Sequence, residues 1–207
     1  MSKEQNFERT LPEGYKQALY INAKQLKFGI IFNLIALVVL ALVMVAAFLT
    51  LKANDSFPAI HFALEDPAFF IPYLIFLATM VGYIVLHELV HGAAYKTLTG
   101  EKLTFGMSWS CAFCGVPHIF TYRKTAIIAT VAPFAVFTLL FIPILILFYF
   151  FNPFYYLLAC FLFGLHLGGC SGDLYVLLLL TFKFKNKKTL IRDTGPEQFF
   201  LVPGEEN

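Results

Sequence analysis

The stretch Val85-Leu86-His87-Glu88-Leu89-Val90-His91-Gly92 carries the residue types and spacing that could do chemistry. It contains the pattern HExxH. On a helix, residues i and i+4 share a face, so His87 and His91 can hold one metal ion together. Glu88, one residue after the first histidine, can reach a water bound to that ion. Zinc suits such a set: two neutral imidazoles, one carboxylate from elsewhere in the chain, and an open position for water. The ion lowers the pKa of its water and polarises a carbonyl, while the glutamate moves the protons. All three ionisable side chains fall inside one apolar span, where such groups are costly and by default functional. The plainer alternative is a polar helix face packed against its neighbours.

The elements that must position these residues are membrane helices. The 207 residues are 59% hydrophobic and 14% charged, with a mean hydropathy of +0.74, which excludes an ordinary soluble domain. The net charge of +2 singles out no partner by itself, and no nucleic-acid partner is expected. Four apolar spans stand out, at about 28–51, 68–95, 125–151 and 154–182, each long enough to cross a bilayer core of ~20 helical residues. The expected organisation is a polar N-terminal segment (1–27), a four-helix membrane domain (28–182) and a C-terminal tail (183–207). The first apolar run follows a charged segment with no small-residue cleavage site, so no cleavable signal peptide is expected. After the turn at Leu11-Pro12-Glu13-Gly14-Tyr15, the stretch to Lys27 reads either as an amphipathic helix on the membrane surface or as a solvated tail. Pro133 and Pro143 should kink the third span, because each removes a backbone donor.

Residues 96–124 are mixed. Lys102 to Trp109 partly alternates and His118 to Tyr122 is rich in β-formers, with turn residues at 114–117. A short β-hairpin or re-entrant loop between the second and third helices is expected, and its edge could pair with an extended peptide. The fold class is therefore all-α integral membrane with that one β-like insertion. The Cys111 and Cys114 pair has redox or zinc-ligand spacing but no second CxxC, while Cys160 and Cys170 read as small buried hydrophobes. The tail opens on Lys183, Lys185, Lys187 and Lys188, and the rest could dock as a strand or stay loose.

Lysine and arginine counts set the orientation. They are five before the first span, one in the first loop, four in the second, none in the third and five in the tail. Both termini and the 96–124 loop are thereby expected in the cytoplasm. His87 lies nine residues before Lys96 and Asp173 ten before Lys183, so both sit about 14 Å inside a basic anchor at ~1.5 Å per residue. Equal depth makes Asp173 the natural third ligand. His166 competes for that role. It precedes Asp173 by two turns on the same face, roughly 10 Å away along the axis, so one ion cannot easily take both. His166 is then expected beside the site or along a substrate channel. His61 reads as a surface residue, and His118 could reach the site only if its loop folds inward.

With these residues in place, the chain resembles the site-2-protease-like intramembrane zinc metallopeptidases, and more narrowly a bacterial zincin peptidase family of unknown function. His87-Glu88-Leu89-Val90-His91-Gly92 on an apolar helix, Ala132-Pro133 on the helix after the β-like loop, and Gly172-Asp173 on a later helix carry the likeness, over roughly 68–182. The resemblance implies zinc held by His87, His91 and Asp173, with Glu88 as general base. The chain departs from the better-known site-2 pattern, which has Asn-Pro ahead of Asp-Gly; here the late motif is Cys170-Ser171-Gly172-Asp173-Leu174. No PDZ-like domain is expected.

The expected activity is zinc-dependent endoproteolysis of membrane-anchored proteins or peptides near the cytoplasmic face of a bacterial cell membrane. Pro133, Gly169 and Gly172 are expected around the substrate channel, with the glycines at 168, 169 and 172 admitting the substrate backbone. The alternative is a non-catalytic membrane binding or scaffold protein with a structural metal, for which a fourth protein ligand such as His166 or a cysteine would speak.

Overall fold

The computed structural model describes residues 6–56, 70–108 and 111–204. Its frame is four long helices. Helix α1 spans Leu26–Ala53, α2 Ile71–Thr99 and α3 Arg123–Phe151. The fourth is composite: α4 (Pro153–Gly169) and α5 (Ser171–Leu178) meet at Cys170, and a π-helical turn, Leu179–Lys183, ends it. The break is shallow. Cys170 N–H still donates to the His166 carbonyl (3.1 Å), and its own carbonyl accepts from Leu174 (2.8 Å). All four helices are long and apolar enough to cross a membrane, and between 6% and 33% of each apolar window is buried inside the protein. Leu34, Leu37 and Leu42 of α1 and Leu74, Ile75 and Val81 of α2 point outward, a surface suited to lipid rather than water.

Local chemistry explains the helix ends. Pro72 sits in the first turn of α2, where its missing N–H costs nothing. Gly100 ends α2 in the left-handed region (φ 71°), which a residue with a Cβ resists. The Asn152 side chain accepts from the Phe154 and Tyr155 backbone N–H groups and starts α4, with Pro153 in its first turn. That cap lets two long helices join through almost no loop. Helix α1 packs closely on α4 because Gly164 and Gly168 lie one turn apart. A Cβ at Gly168 would come within 2.7 Å of the Ala36 Cα and carbonyl oxygen, the small-residue approach that membrane helices use.

A five-stranded antiparallel sheet closes one end of the bundle. Its strands are β1 (Phe7–Glu8), β2 (Tyr15–Asn22), β5 (Phe120–Tyr122), β6 (Leu190–Asp193) and β7 (Glu197–Pro203), in the order β1-β5-β6-β7-β2. A separate hairpin joins β3 (Thr104–Met107) to β4 (Ala112–Gly115). Ile21, Ile191 and Phe200 of the sheet pack with Val176, Leu180 and Phe184 in one buried cluster. The π-helical turn loosens the backbone there, and the Leu180 carbonyl accepts from Arg123 Nε (2.7 Å).

Several expectations are corrected. The fold is not all-α: the described residues combine the four helices with a five-stranded and a two-stranded β-sheet. Residues 15–22 form a strand, neither an amphipathic helix nor a solvated tail, because β7 supplies the hydrogen bonds along its length (Tyr15 opposite Pro203, Asn22 opposite Glu197). The tail docks as β6 and β7. The hairpin after α2 is present, but its second strand is the Ala112–Gly115 stretch, and residues 120–122 join the larger sheet. The segment with His61 lies outside the described residues.

Candidate metal centre

Helix α2 carries His87 and His91 on the face it turns inward, both buried. Asp173, in the first turn of α5, enters between them. His87 Nε2 lies 3.3 Å from Asp173 Oδ2, and His91 Nε2 lies 3.4 Å from Asp173 Oδ1. The three groups offer ligand atoms within 4.8 Å of one another. Two imidazoles and one carboxylate, open to a cavity, form the donor set that zinc takes in hydrolytic sites. These residues fit the ion.

Each histidine is also held from behind. His91 Nδ1 lies 2.8 Å from the Ala129 carbonyl oxygen of α3, so Nδ1–H donates there and Nε2 is the nitrogen turned towards Asp173. His87 Nδ1 lies 3.1 Å from the Tyr83 hydroxyl, which is 2.9 Å from His166 Nδ1. His166 Nε2 in turn lies 3.0 Å from Thr138 Oγ1. A metal on His87 Nε2 would put that ring's proton on Nδ1, and the chain would then run from His87 Nδ1–H to Tyr83, from Tyr83 O–H to His166 Nδ1 and from His166 Nε2–H to Thr138. His166 is fully buried among Phe134, Phe137, Phe141 and Phe163. It also forms a second possible ligand group with His87 and Cys170, but both of its ring nitrogens already have partners.

A cavity of about 320 Å³ lies in front of the site. Tyr83, His87, Glu88, His91 and Asp173 line one side, and Cys111, Ala112, Phe113 and Cys114 of the hairpin line another. Glu88 accepts a hydrogen bond from the Cys114 backbone N–H. Strand β4 therefore lies with its outer edge towards the glutamate. The Cys114 thiol is pushed up to about 12 by burial, reinforced by the nearby Asp193 and Glu88 charges, so it is no ready thiolate. His118 is exposed and stays away from the site.

Gly169 and Gly172 line the cavity, and a Cβ built on either meets nothing within 4 Å. Gly168 lines the cavity too, but a Cβ there would meet Ala36 of α1. Pro133 is fully buried within α3 and is not among the cavity-lining residues; helix α3 continues through both prolines.

Two residues that sequence reasoning passed over complete the cavity. The Tyr95 hydroxyl donates to Asp193 Oδ2 (2.7 Å), and the Gly195 N–H donates to Asp193 Oδ1 (2.8 Å). Burial pushes the Asp193 carboxyl up to about 6, against these two hydrogen bonds that favour its ionised form. The close fit of the tail turn depends on Gly115, where a Cβ would overlap the Gly195 nitrogen. Tyr83 carried a usable signal, since it stands one turn before His87 on the same helix face. Asp193 carried none: only the pairing of β6 brings it here.

The family described as "Putative zincin peptidase" matches residues 79–188, more than half of the chain. The chain belongs to this zincin peptidase family. No curated protein and no solved structure matches it. The zincin match takes in α2 from residue 79, the hairpin, α3, α4 and α5, and so includes His87, Glu88, His91 and Asp173. Strands β6 and β7, with Asp193, lie beyond it.

Proposed function

We propose that this protein is a zinc-dependent endopeptidase that cuts membrane-anchored proteins or peptides close to the cytoplasmic face of the membrane. One observation carries the reading: His87, His91 and Asp173 converge from two apolar helices on a cavity that Glu88 also lines. Zinc held by these three residues would supply a more acidic water and a polarised scissile carbonyl. Glu88 takes a proton from the attacking water and returns it to the leaving amine. The Cys114 N–H holds the glutamate in place. The outer edge of β4 suits an extended substrate backbone, which would add as a further strand beside Glu88. The cluster of lysines and arginines near the sheet end of the bundle supports a cytoplasmic location for that end.

A second reading, a membrane binding or scaffold protein with a structural metal, rests on the His87, His166 and Cys170 grouping. Metal content of the detergent-purified protein separates the two. The peptidase reading expects one zinc per chain, lost in Asp173→Ala and kept in His166→Ala. Loss in both variants would favour a closed structural site, and no zinc in the wild type would end the enzyme reading. Glu88→Gln should keep its zinc and lose cleavage by ~10²–10⁴-fold. The readout is the set of membrane-protein fragments in cells carrying either form; unchanged fragments with Glu88→Gln would remove Glu88 from the mechanism.

A further inference from the structure

Pro133 stands four residues after Ala129, whose carbonyl oxygen lies 2.8 Å from His91 Nδ1. In a regular helix, the N–H of residue 133 would donate to the carbonyl of residue 129. Proline has no N–H, and its ring presses on the carbonyl four residues back and tilts it off the helix axis. The carbonyl so released belongs to Ala129, a fully buried residue, in a bundle where an unsatisfied backbone oxygen is costly. It is the same carbonyl that lies 2.8 Å from His91 Nδ1. Two deficits cancel: the proline leaves an acceptor without a donor, and the imidazole needs an acceptor to fix its proton on Nδ1.

We infer that Pro133 is a positioning residue for the metal centre, acting by releasing the Ala129 carbonyl to hold His91 with Nε2 towards Asp173. The inference rests on the metal-site reading above. It gives the proline a purpose that a bend alone does not. Pro143 lies in the same helix and releases the Leu139 carbonyl by the same logic, but Leu139 is 72% exposed on the outer surface. Pro143 is therefore the internal control.

Two measurements test this on the full-length protein in detergent. The first is zinc affinity by competition with a chelator. Pro133→Ala restores an N–H that recaptures the Ala129 carbonyl, and affinity should fall by ~10–100-fold, as for lost partners of metal-bound histidines. Pro143→Ala should bind as the wild type does. The α-hydroxy analogue of alanine at 133, introduced by nonsense suppression, places an ester oxygen where the N–H would be; it should keep wild-type affinity. The second measurement is the tautomer of His91 in metal-free, ¹⁵N-histidine-labelled protein, assigned by loss of its signal in His91→Asn. The wild type should keep Nδ1 protonated and hydrogen-bonded whether or not Nε2 also carries a proton towards Asp173, and Pro133→Ala should lose the Nδ1 proton in part. Wild-type affinity and tautomer in Pro133→Ala would overturn the inference, as would an ester variant as weak as Pro133→Ala. If the wild type binds no zinc, the metal reading fails, and the tautomer measurement still decides what Pro133 does.

Discussion

His87 and His91 are anchored by different means, and the difference predicts different sensitivities. His91 leans on a backbone carbonyl, whereas His87 leans on the Tyr83 hydroxyl, which is bonded in turn to His166. Tyr83→Phe keeps the ring in its packing against Phe137 and Phe141 but leaves His87 Nδ1 without a partner and His166 Nδ1 with only the Cys170 thiol at 3.7 Å. Such groups cost ~1–3 kcal/mol each when unsatisfied. The variant should melt at lower temperature in detergent and bind zinc about 10-fold more weakly. An unchanged melting point and unchanged affinity would show that the Tyr83 to His166 link is incidental. HExxH was legible because it is local, and Asp173 because basic anchors report depth along two helices. Tyr83 is local too and could have been read from its spacing. The Ala129 contact could not, since no side chain marks a carbonyl as free except the proline four residues on.

The elements divide along the same line of local against distant information. Span length and hydropathy predict the helices to within a few residues, because a membrane helix satisfies its backbone within itself. The sheet pairs Tyr15 with Pro203 and Phe7 with Thr121, and nothing within 15–22 announces a partner so far away. β1 has two residues and β5 three, too short for any alternation to register. The glycines carry the same lesson. Gly168 and Gly169 look alike in sequence, yet a Cβ on the first would meet the Ala36 backbone and one on the second would meet nothing within 4 Å. Gly168→Val should push α1 from α4 at a cost of ~1–3 kcal/mol, the usual penalty of overpacking. Gly169→Ala, with open space around it, should be close to neutral. Thermal unfolding of the two variants side by side checks this, and equal losses would mean that the α1–α4 contact is not tight at Gly168.

On the scale of the whole molecule, the tail ties the sheet to the helix that carries the histidines. Asp193 of β6 accepts from Tyr95, two turns beyond His87 on α2, and its backbone carbonyl accepts from Val116 N–H (2.8 Å). Its carboxyl rises from an ordinary 3.8 to about 6, chiefly through burial. A carboxyl that holds its proton more tightly when folded stabilises the fold fully below its unfolded pKa. That contribution is lost as pH rises through the folded value, so the window runs from about pH 4 to about pH 6. Its full size is ~3 kcal/mol, from about 1.4 kcal/mol for each pH unit between the two values. Raising the pH from 5 to 7.5 should therefore lower the wild-type melting temperature by a few degrees through this group alone. In Asp193→Asn the Tyr95 hydroxyl keeps an acceptor, but the titration is gone. Other groups titrate over the same range in both proteins, so the quantity to compare is the difference between the two pH profiles. The profiles should diverge by about 3–6 °C above pH 5. Parallel profiles would mean that Asp193 is ionised at no cost in the folded protein, and that the tail is held to α2 by its strand pairing rather than by this buried acid.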